Sequence, residues 1–135
     1  MKNSNKILYS VSGNIAILTI NRPERRNALD AETLEQINIL LDRAESDEKV
    51  RVILITGQGD TFSSGFDLKD QMEKAPEGKE WKPILELDHR TIMRFWNSPK
   101  PTIAAVKGAC LAGAFELSLA CDFTICSKDS FFGEP

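Results

Sequence analysis

Residues 100–126 read KPTIAAVKGACLAGAFELSLACDFTIC, and the fold turns on how this stretch is parsed. After the break Ser98-Pro99-Lys100-Pro101, the apolar run from Thr102 to Val106 predicts a short strand. Small residues then lead to Gly113. From there to Cys121 the sequence is apolar nearly all round, which places the predicted helix in the interior rather than on a surface. Residues 122–126, DFTIC, read as another strand, and Phe131-Phe132-Gly133 begins a further element. Strands alternating with helices predict α/β architecture with right-handed crossovers.

Upstream, Val50 to Thr56 (VRVILIT) is a nearly continuous β-branched run, expected of a parallel strand buried on both faces and closed by the turn chemistry of Gly57-Gln58-Gly59-Asp60. Lys6 to Val11 and Asn14 to Ile20 form an opening hairpin about Ser12-Gly13. A polar loop, Asn21 to Asp30, follows. Asp30 is the expected N-cap of a helix through about Arg43, because Leu34, Ile37, Leu41 and Ala44 recur on one face. The polar segment Asp70 to Lys79 is expected to be a mobile excursion. A second amphipathic helix is expected from Trp81, Leu85, Asp88, Ile92, Phe95 and Trp96, with Pro83 tolerated in its first turn.

The 135 residues allow one ordinary domain, and 41% hydrophobic with 27% charged residues is the composition of a globular chain. A formal net charge of −3 gives no global reason to expect nucleic acid or an anionic membrane as partner. Cys110, Cys121 and Cys126 form no CxxC pair, so a metal site or disulfide framework is not expected, and reduced thiols in a core are. No apolar run reaches the roughly 20 residues that span a bilayer, and no h-region follows the polar start MKNSNK. A cytoplasmic location is expected.

Three stretches can carry chemistry. In Gly108 to Leu117, Glu116 is a lone carboxylate in an apolar helix. It is either a structural group bonded to a nearby donor or, with its pKa raised by burial, a general acid/base. Gly113 falls in the first turn of that helix, where N–H groups lack partners and negative charge is favoured. Close packing alone also explains the small residues at 108, 109 and 112–114. The loop Phe62 to Leu68 follows the buried strand and can offer another free N–H, although Phe66 also reads as an ordinary core aromatic. Asn21 to Leu29, NRPERRNAL, carries three arginines, whose forks suit phosphates but also suit a solvated surface.

In this order NRPERRNAL, TFSSGFDL and KPTIAAVKGACLAGAFELSLACDFTICSKDSFFGEP resemble the crotonase, or enoyl-CoA hydratase/isomerase, family across nearly the whole chain. The resemblance implies a right-handed spiral of β-β-α turns, a coenzyme A thioester as substrate with no separate cofactor, and a homo-trimer or hexamer. It also implies that the backbone N–H groups of Phe66 and Gly113 form an oxyanion hole and that Glu116 is the first of two hydratase glutamates. Arg25 and Arg26 fall where basic contacts to coenzyme A phosphates are expected, and Ala28, Ser64, Asp67 and Leu68 fall along the loops lining adenine and pantetheine.

Two departures from the family pattern stand out. Ala112-Gly113-Ala114 replaces a run of glycines but keeps the central one. The second glutamate of the pattern follows the proline of Phe132-Gly133-Glu134-Pro135, which is the last residue, and Glu134 is no substitute for it. The chain is therefore expected to be the truncated N-terminal half of such an enzyme, one incomplete domain over residues 1–135. The function implied is hydration of an enoyl-CoA. Isomerase or hydrolase chemistry on the same hole, or a silent acyl-CoA-binding fragment, are the alternatives.

Overall fold

The structure, a computed structural model, describes residues 5–75, 77 and 80–135. Strand β1 (Ile7–Ser12) turns through Gly13, at φ +59°, into the antiparallel β2 (Ile15–Ile20). Helix α1 (Ala31–Ser46) then crosses to β3 (Val52–Gly57), parallel to β2. Asp30 caps α1 as its residue type predicts: its Oδ1 accepts from the Thr33 N–H at 2.8 Å. The helix runs three residues past Arg43, and Leu34, Ile37, Leu41 and Ala44 are its buried face.

Helices α2 (Leu68–Lys74) and α3 (Trp81–Trp96) connect β3 to β4 (Thr102–Val106), again parallel. The expected excursion from Asp70 is therefore partly helical. Asp67 accepts from the Asp70 N–H at 3.2 Å and starts α2 within the polar stretch. Residues 76, 78 and 79 of that stretch lie outside the described residues. Beyond β4 come β5 (Ala109–Leu111), α4 (Gly113–Ala120), β6 (Phe123–Cys126) and β7 (Phe131–Gly133).

The strands form a sheet ordered β1-β2-β3-β4-β6 and a second pair, β5-β7, parallel throughout except at the first hairpin. Parallel bridges Leu29 to Phe66 and Ser63 to Cys110 extend the second layer. Each successive β-β-α turn thus contributes a strand to the first sheet and a short extended piece to the second. The core fills one face of the large sheet, where Leu18, Ile20, Ile53, Ile55 and Ala104 meet Leu34, Ile37, Phe62, Phe95 and Leu117.

Four expectations change. β3 is not buried on both faces: Ile53 and Ile55 are fully covered, whereas Val52 and Leu54 are only half-buried because the helices pack on one side. α3 buries Asp88, Thr91 and Phe95, and leaves Leu85 and Trp96 exposed. Its face is set by α1, to which Asn38 Nδ2 donating to Thr91 Oγ1 at 2.8 Å and Arg94 pairing with Asp42 at 2.7 Å tie it. α4 is interior on one side only, with Leu119 exposed. Cys110 and Cys121 are buried free thiols as expected, but Cys126 lies exposed on β6.

Candidate active site

The site is built where three loops meet. In the first, Pro23–Arg25 make one 3-10 turn, then Arg26 and Asn27 adopt left-handed conformations at φ 52° and 55°. Asn tolerates that region better than most residues. Buried Asn27 accepts from the Arg22 N–H at 2.8 Å and donates to Gln58 O and Thr61 O at 2.9 and 2.7 Å. One side chain thereby fixes the arginine loop to the loop after β3.

Arg22 serves the protein itself. Its guanidinium donates to Ala28 O at 2.6 Å and pairs with Asp67 at 3.2 Å and Asp30 at 3.3 Å. Arg25 reaches Asp67 at 3.3 Å but keeps 43% of its side chain exposed. Arg26 is exposed and makes no ion pair among the described residues. Burial opposes charge on Asp67, but the Asp70 N–H and the two arginines outweigh it and hold its carboxyl below the usual value. Asp67 is thus occupied by its own chain, and Ala28 is buried beside it. Ser64 is half-buried, and Leu68 is exposed at the start of α2.

The second loop is almost saturated in hydrogen bonds. The N–H groups of Phe62, Ser63, Ser64, Gly65 and Asp67 donate to Lys107 O, Ala109 O, Arg26 O, Ser63 Oγ and Leu29 O, at 2.8 to 3.1 Å. Among the described residues Phe66 N–H alone in this run donates to nothing. Gly113 N–H, opening α4, likewise has no acceptor. The first-turn donors of a helix are left over by its own bonding pattern.

The two free donors are neighbours. A Cβ on Gly65, which sits at φ +102°, would come within 2.8 Å of Leu111 O and 3.3 Å of Gly113 N. A Cβ on Gly113 would meet the Phe66 ring at 2.5 Å. Glycine at 65 lets the two backbones approach, and glycine at 113 leaves room for the Phe66 ring. Leu111 N–H to Ser63 O at 3.1 Å pins the contact, and the Phe115 ring packs on that of Phe132, with centroids 5.8 Å apart.

Glu116 shares the first turn of α4 with Gly113. The buried carboxylate expected there is not found: Glu116 is exposed, because it points away from the face that Ala114, Leu117 and Ser118 bury. The buried carboxylate of the region is Asp88 on α3, whose pKa is pushed up to about 6 by burial, with the Glu116 charge adding to it. Sequence reasoning placed Asp88 on a helix face but gave it no role. A carboxylate among apolar residues at helical spacing was the available signal. Asn27 and Gln71 carried no such signal, since their partners come from distant parts of the chain.

A family model for enoyl-CoA hydratase/isomerase matches residues 10–135. The chain belongs to the enoyl-CoA hydratase/isomerase family. It is 33% identical to a short-chain-enoyl-CoA hydratase of Clostridium acetobutylicum over 97% of its length and 50% of that protein's. Among solved structures it resembles an enoyl-CoA hydratase/isomerase from Xanthobacter autotrophicus Py2, with 57% identity and a TM-score of 0.93 over 97% of this chain and 49% of that one. An enoyl-CoA hydratase from Polaromonas sp. JS666 follows at 35% identity and TM-score 0.87, with 93% of this chain and 49% of that one covered. The chain spans about half the length of the curated relatives it matches. The crotonase fold and the ordered motifs are thus those of the family. No helix among the described residues is long and apolar enough to cross a membrane.

Proposed function

We propose that these residues form the thioester-binding half of an enoyl-CoA hydratase site. The observation that carries this reading is the pair of unpartnered N–H groups on Phe66 and Gly113, the first in a loop whose other donors are satisfied and the second in the first turn of α4, brought together at Gly65. Two such donors suit an oxygen that gains charge during reaction. The thioester carbonyl accepts both hydrogen bonds, water adds at the β-carbon, and the enolate charge rests on the carbonyl oxygen between the two N–H groups. Glu116, exposed beside Gly113, holds that water and takes its proton. The α-carbon then takes the proton that Glu116 removed from the water, which completes addition of H and OH across the double bond and restores the carboxylate.

Coenzyme A enters as part of the substrate. Arg26, which makes no ion pair among the described residues, and Arg25, 43% exposed, supply the positive charge for its phosphates. Ala28, Ser64 and Leu68 line its path, while Asp67 fixes Arg22 and Arg25 in place. Assembly as a trimer or hexamer and a location in the cytoplasm belong to the same proposal.

The test is Glu116→Gln in the complete polypeptide that carries these residues, assayed with crotonyl-CoA and a longer enoyl-CoA. Affinity for the thioester is expected to hold while the hydration rate falls about 100- to 10,000-fold, the usual contribution of a general acid/base. Unchanged turnover would remove Glu116 from the reaction.

A further inference from the structure

A cavity of about 340 Å³ lies between the start of α1, α2 and the first half of α3. One wall is Leu29, whose backbone pairs with the oxyanion loop on both sides of Phe66, through Gly65 O and the Asp67 N–H. Ile84 and Leu87 add apolar lining, the charged Glu35, Lys74, Glu86 and Arg90 lie exposed around it, and Asp88 and Gln71 are its buried polar residues. Asp88 is 6% exposed, and its Oδ2 accepts from Gln71 Nε2 at 2.8 Å. Among the described residues no other hydrogen bond reaches its carboxylate. Asp88 lies on α3, which packs against α4, the helix that carries Gly113 and Glu116.

An ionised carboxylate has only acceptor sites, and Asp88, largely withdrawn from water, keeps one oxygen open to the cavity and without a protein donor among the described residues, which is costly. The cost is recovered when a ligand brings a donor. An ammonium would forfeit its hydration against Leu29, Ile84 and Leu87, whereas a hydroxyl has a single proton to place.

We propose, resting on the acyl-CoA reading above, that this cavity receives the acyl chain and that Asp88, held by Gln71, selects thioesters whose chain carries a hydroxyl group. The O–H donates to Asp88 Oδ1, and the chain carbons lie against Leu29, Ile84 and Leu87. Asp88 is then a specificity-determining residue, and the substrate class is a hydroxylated enoyl thioester rather than a plain alkyl one.

The experiment compares hydroxyacyl-CoA with ketoacyl-CoA bearing oxygen at the same carbon, moved stepwise along the chain. Affinities are read by calorimetry on the complete polypeptide, well above pH 6 so that Asp88 is ionised. At one carbon the hydroxy ester is expected to bind about tenfold tighter, the value of one hydrogen bond to a charged group. Asp88→Asn, nearly isosteric, accepts from Gln71 with its oxygen and turns an N–H₂ to the cavity, so the preference should vanish or reverse toward the ketone. Asp88→Leu should abolish both. No hydroxyl preference at any carbon, or an unchanged preference in Asp88→Asn, overturns the proposal. If the preference holds but no enoyl thioester is hydrated, the hydration reading falls and this one stands. If no acyl-CoA binds, both fall.

Discussion

Asp88 and Ala112 each carry a cost that a measurement can find. The Asp88 carboxyl is raised from 3.8 to about 6, first by burial and then by the Glu116 charge, against the lowering hydrogen bond from Gln71. The unfolded chain releases this proton near 3.8, so between there and about 6 the folded chain holds more protons. The Asp88 contribution therefore favours folding most at low pH and weakens as pH rises to about 6. Asp88→Asn should stabilise the protein at neutral pH by up to roughly 3 kcal/mol, with the gain fading below pH 4, in urea titrations across that range. A gain that persists at low pH would mean that burial of charge is not its source. Ala112 sits at φ 50°, ψ −126°, where a Cβ is strained. Ala112→Gly should raise stability by about 1 kcal/mol, read as a higher urea midpoint at constant slope. At this scale the sequence was least legible. Glu116 was expected to be buried because its helix is apolar, yet burial depends on which side of α4 faces α3, and eight residues without a polar stripe do not reveal that.

Elements were more legible. The cap at Asp30, the alternation in β2 and the breaks at Gly13 and Pro101 are local chemistry, and the strands and helices read from pattern start within a few residues of where it predicts, whereas the three-residue β5 among small residues carried no pattern. The exceptions are elements whose shape is imposed by neighbours. α2 forms inside a polar stretch because Asp67 caps it and the arginines hold Asp67. The face of α3 follows α1 rather than its own aromatic stripe. The approach of α4 to the Phe66 loop depends on Gly113, and Gly113→Ala would put a methyl group into the Phe66 ring. Helix content by circular dichroism should survive that change while the loop shifts and hydration in the complete polypeptide drops at least about 100-fold, since one oxyanion donor is typically worth that much. Activity near wild type would mean that the ring moves aside without disturbing the hole.

For the molecule as a whole, the order of motifs was the strongest signal, because one spiral alone brings Asn27, Phe66 and Gly113 to the same place. The apolar face left uncovered lies on β6, at the edge of the large sheet. β6 has one neighbouring strand, and Phe123 and Ile125 on it are 65% and 62% exposed, with Leu119 and Phe131 nearby in the chain. Exposed apolar side chains on a sheet edge drive association. The 135-residue chain alone should sediment as concentration-dependent oligomers, and Phe123→Lys with Ile125→Lys should shift it toward monomer. Identical sedimentation of both would exclude this face as the cause.

The most direct measurement of the central claim is the hydration rate of the complete polypeptide with Phe66→Pro beside Phe66→Ala. Proline removes the N–H and alanine keeps it, while both lose the ring that lies on Gly113. If a backbone donor at 66 holds the thioester oxygen, the proline variant loses a further factor of about 100 or more beyond the alanine variant, the cost of one oxyanion donor. Circular dichroism and thioester binding show that both remain folded. Equal losses in two folded variants would place the effect in the side chain and contradict the oxyanion hole.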